Sequence, residues 1–303
     1  MRSPYIKSKK AFSLFLNYSQ QLDFQNSLLL AENLIHILQT TLKKSRNLII
    51  LEPGIGYGRI AIPLAIKGAP FNFQIYGFDN SPYMLEELTK RINNLPVQLR
   101  AQISGRLFFR QLAAESEWPY PEKFFDVVIL SYILHYLKDW QIFLDKCDSH
   151  SKGCIVFLKE ISPFNYWLNG DFSLIPSNAP HQVLYEFWHY FYKLKESYAE
   201  KGENQEITPI AYQPAIHYLA FQKGYHVSTY QVDLPLTRRL KFSELLSWIR
   251  YGAFVPLRES INRQARTLLA HRMKEWLLQR GISPKETLVM KGGTYEICIC
   301  HKT

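Results

Sequence analysis

The chain has 303 residues, of which 47% are hydrophobic and 20% are charged, and its formal net charge is +10. This composition is typical of a globular protein with a sizeable core and excludes a fibrous or largely disordered chain. The basic balance favours anionic partners, such as nucleic acid, acidic lipid headgroups or small carboxylates.

The N-terminal residues and the cysteines bear on where the protein resides. Residues 1–10 are basic, but no continuous apolar segment follows them, so we predict no secretory signal. The sequence has no stretch of about 18 apolar residues, so we predict no membrane span. The cysteines lie in apolar runs without CxxC spacing, so we expect reduced core residues, no metal site and a cytoplasmic protein. They are Cys147, Cys154, Cys298 and Cys300.

The first half of the chain alternates strand-like and helix-like segments with short breaks, a pattern typical of a parallel sheet covered by helices. Helices are predicted over residues 26–42, 60–66 and 140–147 and from Ser81-Pro82 onward. Strands are predicted over residues 47–51, 73–78, 107–110, 125–130 and 154–158. These strands and helices together predict a doubly wound α/β fold.

The second half changes character. Residues 162–213 are rich in aromatic side chains, and a helix is predicted over residues 183–198. A short helix over residues 214–223 then leads to a sixth strand. Further along, the predicted elements are that strand over residues 226–232, helices within residues 236–280, and a last strand over residues 287–301 that is interrupted at Gly292-Gly293.

The most informative segment is the glycine-rich turn after the first strand, where Glu52 precedes Gly54, Gly56 and Gly58. Such a turn between a strand and a helix lets backbone amides approach a ligand closely. The Gly-x-Gly-x-Gly spacing puts Arg59 where a dinucleotide-binding fingerprint needs glycine or alanine. A pyrophosphate site would also gain nothing from a carboxylate at the position of Glu52. Both features disfavour a nicotinamide oxidoreductase and favour a ligand that carries an ammonium group.

Asp79 ends the second predicted strand, about 20 residues beyond the glycine turn. An acid at this position can accept hydrogen bonds from both hydroxyls of an adenosine ribose. The glycine turn and the acid therefore predict an adenosine-containing ligand.

The segment LEPGIGYGRIAIPLA resembles the first motif of the class I S-adenosylmethionine (SAM)-dependent methyltransferases, especially the small-molecule enzymes of types 11 and 12. FDNSPYMLEEL is similar to their second motif, FDVVILSYILHYLKDW to their fourth, and CIVFLKE to the strand that follows it. The resemblance covers residues 26–160 and, more loosely, the last two strands. It implies SAM as cofactor and a Rossmann-like, doubly wound, seven-stranded sheet with helical lid insertions.

The resemblance also implies roles for individual residues. Glu52 would contact the methionine part of SAM, and the three glycines of the turn would admit the cofactor. Asp79, with Asn80 beside it, would hold the ribose, and Ser131 would line the floor of the site.

The adenine contact departs from the family pattern. Many relatives have an Asp-Ala pair after the third strand, where this chain has Ala114-Glu115. We place the adenine edge within residues 113–118, with Ala114 and Glu115 as the candidate contacts.

The resemblance also sets the domain organisation that we predict. The whole chain, residues 1–303, would be a single methyltransferase domain with two lids. Its parts are an N-terminal helical segment (1–45), the SAM-binding core (46–161), an aromatic-rich lid (162–213), the remaining core strands (214–235 and 286–303) and a basic helical lid (236–285).

In this fold, ligands bind beyond the carboxyl ends of the strands, so the two lids would contact the methyl acceptor. Trp167 and Trp188 are candidate substrate contacts in the aromatic lid, although packing is the favoured interpretation of an aromatic helix. His181 and His189 are candidate general bases, again with packing favoured. His135 is the third catalytic candidate, and it resembles a histidine that is structural or lines the site in many relatives.

The second lid concentrates positive charge. Between residues 236 and 285, basic side chains face only Glu244, Glu259 and Glu275, and Arg258 is a candidate contact for a substrate carboxylate. The basic residues are Arg238, Arg239, Lys241, Arg250, Arg258, Arg263, Arg266, Arg272, Lys274, Arg280 and Lys285. A solvated polar face explains this pattern as well as an anion-attracting lid does.

The sequence therefore predicts a SAM-dependent methyltransferase with a small-molecule acceptor, such as an anionic or aromatic metabolite. The first alternative is an RNA methyltransferase, favoured by the charge but lacking an appended RNA-binding module and an Asn-Pro-Pro-Tyr-type motif after the fourth strand. The second alternative is a non-catalytic SAM-binding or scaffold protein with the same fold. The acceptor and the oligomeric state do not follow from the sequence.

Overall fold

A computed structural model of the chain describes residues 24–137, 139–161, 172–173, 179–198, 212–252 and 261–302. In these residues seven β-strands form one sheet, with helices packed on both of its faces. No helix in the described ranges is long and apolar enough to cross a membrane. The four cysteines are buried and do not form disulfides.

The strands follow the predicted order along the chain. They are β1 (Ile49–Pro53), β2 (Gln74–Asp79), β3 (Leu107–Gln111), β4 (Val127–Ser131), β5 (Cys154–Ile161), β6 (His226–Lys241) and β7 (Thr287–His301). The order across the sheet is β3-β2-β1-β4-β5-β7-β6. The first five strands pair in parallel, and β7 is antiparallel to both β5 and β6. The predicted Rossmann-like, doubly wound α/β fold is confirmed.

The helices connect these strands and build the lid. They are α1 (Phe24–Leu42), α2 (Ala61–Gly68), α3 (Pro82–Asn93), α4 (Val97–Ile103), α5 (Trp140–His150), α6 (Ala179–Tyr198), α7 (Tyr212–His217), α8 (Phe242–Tyr251) and α9 (Arg263–Gln279). Helix α4 was not predicted from the sequence. It is short, and its valine and isoleucine ends are not helix-favouring residues.

Both faces of the central strands β1, β4 and β5 are buried, as expected for parallel strands with near-continuous apolar sequences. Alternate residues of β1 show this: Ile50 packs with α1 and α2, and Leu51 packs with the opposite cluster around α5 and α7. Both side chains are fully buried. The helices thus cover the central strands from two sides and leave their ends as the place for a ligand.

The parallel strands end at a common edge, where polar residues collect. Glu52 lies near the end of β1, Asp79 ends β2, Ser131 ends β4 and Glu160 lies near the end of β5. In an α/β sheet of this type, the carboxyl edge is the ligand-binding edge.

Strands β6 and β7 continue past this edge as a two-stranded arm. Strand β5 ends where Ile161 pairs with Thr294, whereas β6 and β7 remain paired out to Lys241 and Thr287. The prediction that residues 236–241 belong to a helical lid is therefore wrong, because the partner strand β7 supplies their hydrogen bonds. The register shifts between Leu234 and Thr237.

Helices α6, α8 and α9 pack on this arm and form a third apolar cluster, which we call the lid core. Leu240 of β6 and Leu288 of β7 belong to the cluster, so the arm is part of the lid. The buried members from the helices are Leu184, Phe187, Trp188, Phe191, Phe242, Leu245, Trp248, Ile249, Leu269, Ala270, Met273, Trp276 and Leu277. The lid thus has its own apolar interior, separate from the two clusters that flank the sheet.

Candidate active site

The glycine turn between β1 and α2 requires a backbone that few other residues adopt. Gly54, Gly56 and Gly58 have φ values of 71°, 55° and 76°, in the left-handed region that favours glycine. A Cβ at Gly56 would meet no atom closer than 3.9 Å, whereas a Cβ at Gly58 would collide with Leu88 and press on Ile62. Gly56 therefore leaves open space at the surface of the turn, and Gly58 is needed for packing against α3.

Asp79 is bound to this turn by a direct hydrogen bond. The Gly56 N–H donates to Oδ2 of Asp79 at 3.0 Å, and the Ser81 N–H donates to Oδ1 at 2.8 Å. Burial raises the pKa of Asp79, and these backbone donors oppose the rise. An ionised carboxylate has about four acceptor positions, so both oxygens keep capacity for the hydroxyls of a ribose.

Glu52 is a buried acid with an unused oxygen. Its side chain is 3% exposed, and among the described residues its Oε2 has no hydrogen-bond partner. Burial raises the pKa of Glu52 to about 8, while the nearby Arg59 charge and a backbone hydrogen bond from Ala61 oppose the rise. Buried charges need a partner, so the open Oε2 fits the ammonium group of an amino-acid ligand.

The segment that follows β3 folds back against the end of β2. The Leu112 N–H donates to the Asp79 carbonyl at 3.0 Å, and Trp118 Nε1 donates to the Ala114 carbonyl at 3.1 Å. The Trp118 ring meets the Phe78 ring edge-on, with centroids 5.1 Å apart. Ala114 is buried and Glu115 is exposed, so this turn lies next to Asp79, where the adenine edge is predicted.

Arg59 lies between two tyrosines from distant parts of the chain. Its guanidinium is 5.1 Å from the Tyr132 ring centroid and 5.5 Å from that of Tyr295. Its Nη2 donates to Tyr295 Oη at 2.7 Å, and Tyr295 Oη donates to Glu160 Oε2 at 3.3 Å. Burial opposes the charge, but Tyr295, Tyr132, Tyr57 and Glu160 outweigh it and raise the pKa of Arg59.

Tyr132 directly follows Ser131 and has an unusual backbone, with φ of 57°. The Tyr132 N–H donates to Tyr212 Oη at 2.9 Å, and Tyr132 Oη accepts from the Glu160 N–H at 2.8 Å. Burial and the Glu160 carboxylate raise the pKa of Tyr132 to about 12, against the opposing effect of Arg59. Strained residues that neighbours hold in place from both ends are typical of functional sites. Ser131 and Tyr132 thus form a fixed floor between β1 and β5.

The sequence reasoning used Arg59 only to exclude a dinucleotide site and missed its contacts. Arg59 and Tyr295 are 236 residues apart, and no local pattern links them. The signal that could have indicated a polar cluster is the acid in the apolar run of β5, Glu160, and Tyr295 on the neighbouring strand.

Comparisons with known proteins agree with this geometry. A family model described as a methyltransferase domain matches residues 51–153, the segment that holds the glycine turn, Asp79 and Ser131. The plantazolicin methyltransferase BpumL, solved with SAH (S-adenosylhomocysteine), has a similar fold with a TM-score of 0.50. The chain is 13% identical to it, and the match covers 99% of this chain and 93% of the other.

Over residues 51–153 the chain is thus similar to the methyltransferase-domain family. Two further solved structures are similar to this chain at 14% identity. YcgJ from Bacillus subtilis has a TM-score of 0.47 and covers 89% of this chain and 98% of its own. The magnesium protoporphyrin IX methyltransferase ChlM from Synechocystis PCC 6803, solved with SAM, has a TM-score of 0.38. The match covers 52% of this chain and 74% of ChlM. No curated protein matches the sequence significantly.

The residues present at this edge of the sheet fit SAM. The open oxygen of Glu52, the space beside Gly56 and the acceptor oxygens of Asp79 lie on one edge of the sheet. The oxygen of Glu52 fits the ammonium group of SAM, and the acceptor oxygens of Asp79 fit its ribose. The space beside Gly56 lets the cofactor approach the backbone of the turn closely. Asn80 follows Asp79 at the same edge, and its carbonyl accepts a hydrogen bond from Gln111 Nε2 at 3.3 Å.

The candidate substrate contacts are less well placed than the sequence predicted. Trp188 is fully buried in the lid core, against Phe187 and Phe191. Its interpretation as a substrate contact is corrected here, because its ring has no surface left for a ligand. Trp167 and Arg258 lie outside the described residues.

Of the three histidines considered as bases, only His189 has a described side chain. It is half-buried, with its ring 5.1 Å from that of Phe172 and 6.0 Å from that of Tyr185. This aromatic setting favours packing over proton transfer. His135 lies in a short turn after β4 and His181 in helix α6, and the side chains of both are outside the described residues.

Proposed function

We propose that this chain transfers the methyl group of SAM to a small-molecule acceptor that carries an anionic or aromatic group. The observation that supports this most is the arm formed by β6 and β7. It rises past the edge that carries Glu52, Asp79 and Ser131 and supports a basic lid there. A lid over the carboxyl edge is where an acceptor would meet a cofactor in this fold.

Methyl transfer from SAM requires the protein mainly to bind the cofactor and the acceptor and to align them. SAM, when bound, supplies a methyl group activated by its sulfonium. Glu52 would hold the amino-acid end, Asp79 the ribose, and Ala114 and Glu115 would line the adenine edge. The floor at Ser131 would set the approach of the acceptor, since alignment of the reacting atoms is the main contribution that a protein makes to such a displacement.

Charge in the lid favours an anionic acceptor. Exposed basic side chains dominate the described part of the lid, where Glu275 pairs with Arg272 and Glu244 bonds to the backbone of Lys241. The exposed basic residues are Arg239, Lys241, Arg250, Arg263, Arg272, Lys274, Arg280 and Lys285. Arginine and lysine bind carboxylates well, and a carboxylate acceptor needs no general base because it is already a nucleophile at neutral pH.

RNA is the second candidate acceptor, and the same basic surface favours it. A chain that contacts several phosphates loses affinity steeply with salt, because each neutralised phosphate releases counterions. A small carboxylate held by one arginine would show a much weaker salt dependence. The salt dependence of acceptor binding therefore separates these two proposals.

The test is a transfer assay with SAM that carries an isotopically labelled methyl group. Pools of carboxylic acids, phenols and RNA serve as acceptors, and the D79A variant serves as the control without cofactor binding. The proposal expects label in a small organic acid or phenol and none with D79A. Transfer to RNA alone would support the second candidate. Tight SAM binding with no transfer to any pool would support a non-catalytic SAM-binding or scaffold protein instead.

A further inference from the structure

Glu52 has a potential internal partner that it does not use. Arg59 is close enough to lower the pKa of Glu52, yet the two side chains form no ion pair within 4.0 Å. In the part of the chain that the structure describes, no group pairs with Oε2 of Glu52. If Arg59 moved onto this oxygen, it would occupy the position that fits the cofactor's ammonium.

Tyr295 and Glu160 hold Arg59 in its observed place. They lie directly opposite each other on β7 and β5, and both are buried, at 1% and 4% exposure. The hydrogen bonds run from Arg59 Nη2 to Tyr295 Oη at 2.7 Å and from Tyr295 Oη to Glu160 Oε2 at 3.3 Å. Tyr132 covers the guanidinium on another side, 5.1 Å from its ring centroid.

We infer that Tyr295 and Glu160 are positioning residues that hold Arg59 away from Glu52, so that the Glu52 carboxylate stays open to the ammonium group of SAM or SAH. The inference rests on the proposed role of Glu52 in cofactor binding. The charges that act on Glu52 are Arg59, which stabilises its ionised form, and Asp79, which disfavours it. Arg59 itself is faced by Tyr57, Tyr132, Tyr295 and Glu160.

If Arg59 loses its hydrogen bond to Tyr295, it competes with the cofactor for the open oxygen of Glu52. The Y295F variant keeps the packed ring and removes the hydroxyl that accepts from Arg59 and donates to Glu160. A guanidinium released beside the buried Glu52 will favour its ionised form and pair with it, because each buried charge then gains a partner. The cofactor must then displace an internal ion pair before it binds.

The experiment is a calorimetric titration of SAM and SAH at pH 7.5 into the full-length wild type, Y295F, R59M and the Y295F/R59M double variant. Y295F is expected to weaken both ligands about tenfold, the size of one charge-assisted hydrogen bond. In the R59M background, the same Y295F change is expected to alter the Kd by less than about twofold, since the competitor is gone. E160Q is expected to weaken binding in the same direction as Y295F.

The matched control is Y225F, which removes another buried tyrosine hydroxyl, one that donates to Asp148 Oδ1 at 2.7 Å near the opposite edge of the sheet. It is expected to leave the Kd unchanged. The inference is overturned if Y295F and E160Q bind like the wild type, or if Y295F weakens binding equally with and without Arg59. Failure of the wild type to bind either ligand would instead contradict the cofactor role of Glu52.

Discussion

The Gly56 N–H donates to Oδ2 of Asp79 at 3.0 Å, which joins the turn after β1 to the acid that ends β2. The bond fixes the backbone of the turn at the point where it has open space, and it orients the carboxylate at the same time. Two motifs that are 23 residues apart thus form one ligand-binding edge.

The glycines of the turn should respond differently to substitution. Gly56→Ala places a methyl group in open space, so we expect a loss of roughly 1 kcal/mol in unfolding free energy from the left-handed backbone, but a large loss of SAM affinity. Gly58→Ala adds a collision with Leu88 to the same strain, and we expect it to cost about 2–4 kcal/mol. Urea denaturation and calorimetry on both variants check this. Equal effects on stability would contradict the division of roles.

Glu52 should make the stability of the cofactor-free protein depend on pH. Its pKa is about 8 in the folded protein against an ordinary value of 4.5, so the folded state binds a proton that the unfolded state releases. The sign follows: stability from this group is full below pH 4.5 and is lost as pH rises toward 8. We expect E52Q to become more stable relative to the wild type between pH 5 and pH 8.5. A difference between the two proteins that does not change with pH, measured by chemical denaturation, would refute it.

The same acid should link SAM binding to proton release. Below pH 8, Glu52 must lose its proton to pair with an ammonium, so affinity should rise by up to about tenfold per pH unit from pH 6 to pH 7.5. Calorimetry in two buffers of different ionisation enthalpy should detect the released proton. E52Q should bind more weakly and show neither the slope nor the proton. A slope that persists in E52Q would assign the titration to another group.

Trp188 should matter for the lid and not for the cofactor. Its side chain is fully buried among lid residues, so W188A is expected to lose about 3–5 kcal/mol of packing. Hydrogen exchange should show lost protection in α6, α8 and α9, with SAM affinity kept within about twofold. W140A is a suitable comparison, because Trp140 is only half-buried and lies on α5, outside the lid. A large loss of SAM affinity in W188A would mean that the lid and the site are coupled.

The sequence predicted the sheet and the cofactor edge because their signals are local. Short apolar runs, the glycine turn and the acid at the end of β2 each fall within a few residues, and the five parallel strands begin and end within a few positions of those predicted. The Ser81 N-cap is also observed, since its hydroxyl accepts from the Met84 N–H at 3.4 Å.

The features that sequence reasoning missed depend on distant contacts. The sequence predicts a helix from residue 236, but residues 237–241 pair with β7 beyond a shift in register next to Pro235, a residue that sheets accept mainly in edge strands and at bulges. Arg59 meets Tyr295 only because β7 inserts between β5 and β6. The burial of Trp188 depends on three helices meeting on the arm, and no pattern within α6 distinguishes it from a ligand contact.

The central claim is that SAM binds at the edge where Gly56 meets Asp79. The most direct test is calorimetric titration of SAM and SAH into the wild type, D79N and D79A, with D145A as a control that removes a carboxylate bound to Lys223 outside the site. We predict micromolar binding to the wild type and D145A, and a loss of at least about a hundredfold in D79A, which can no longer accept from the ribose. Undiminished binding to a folded D79A variant, or no binding to the wild type, would contradict the account.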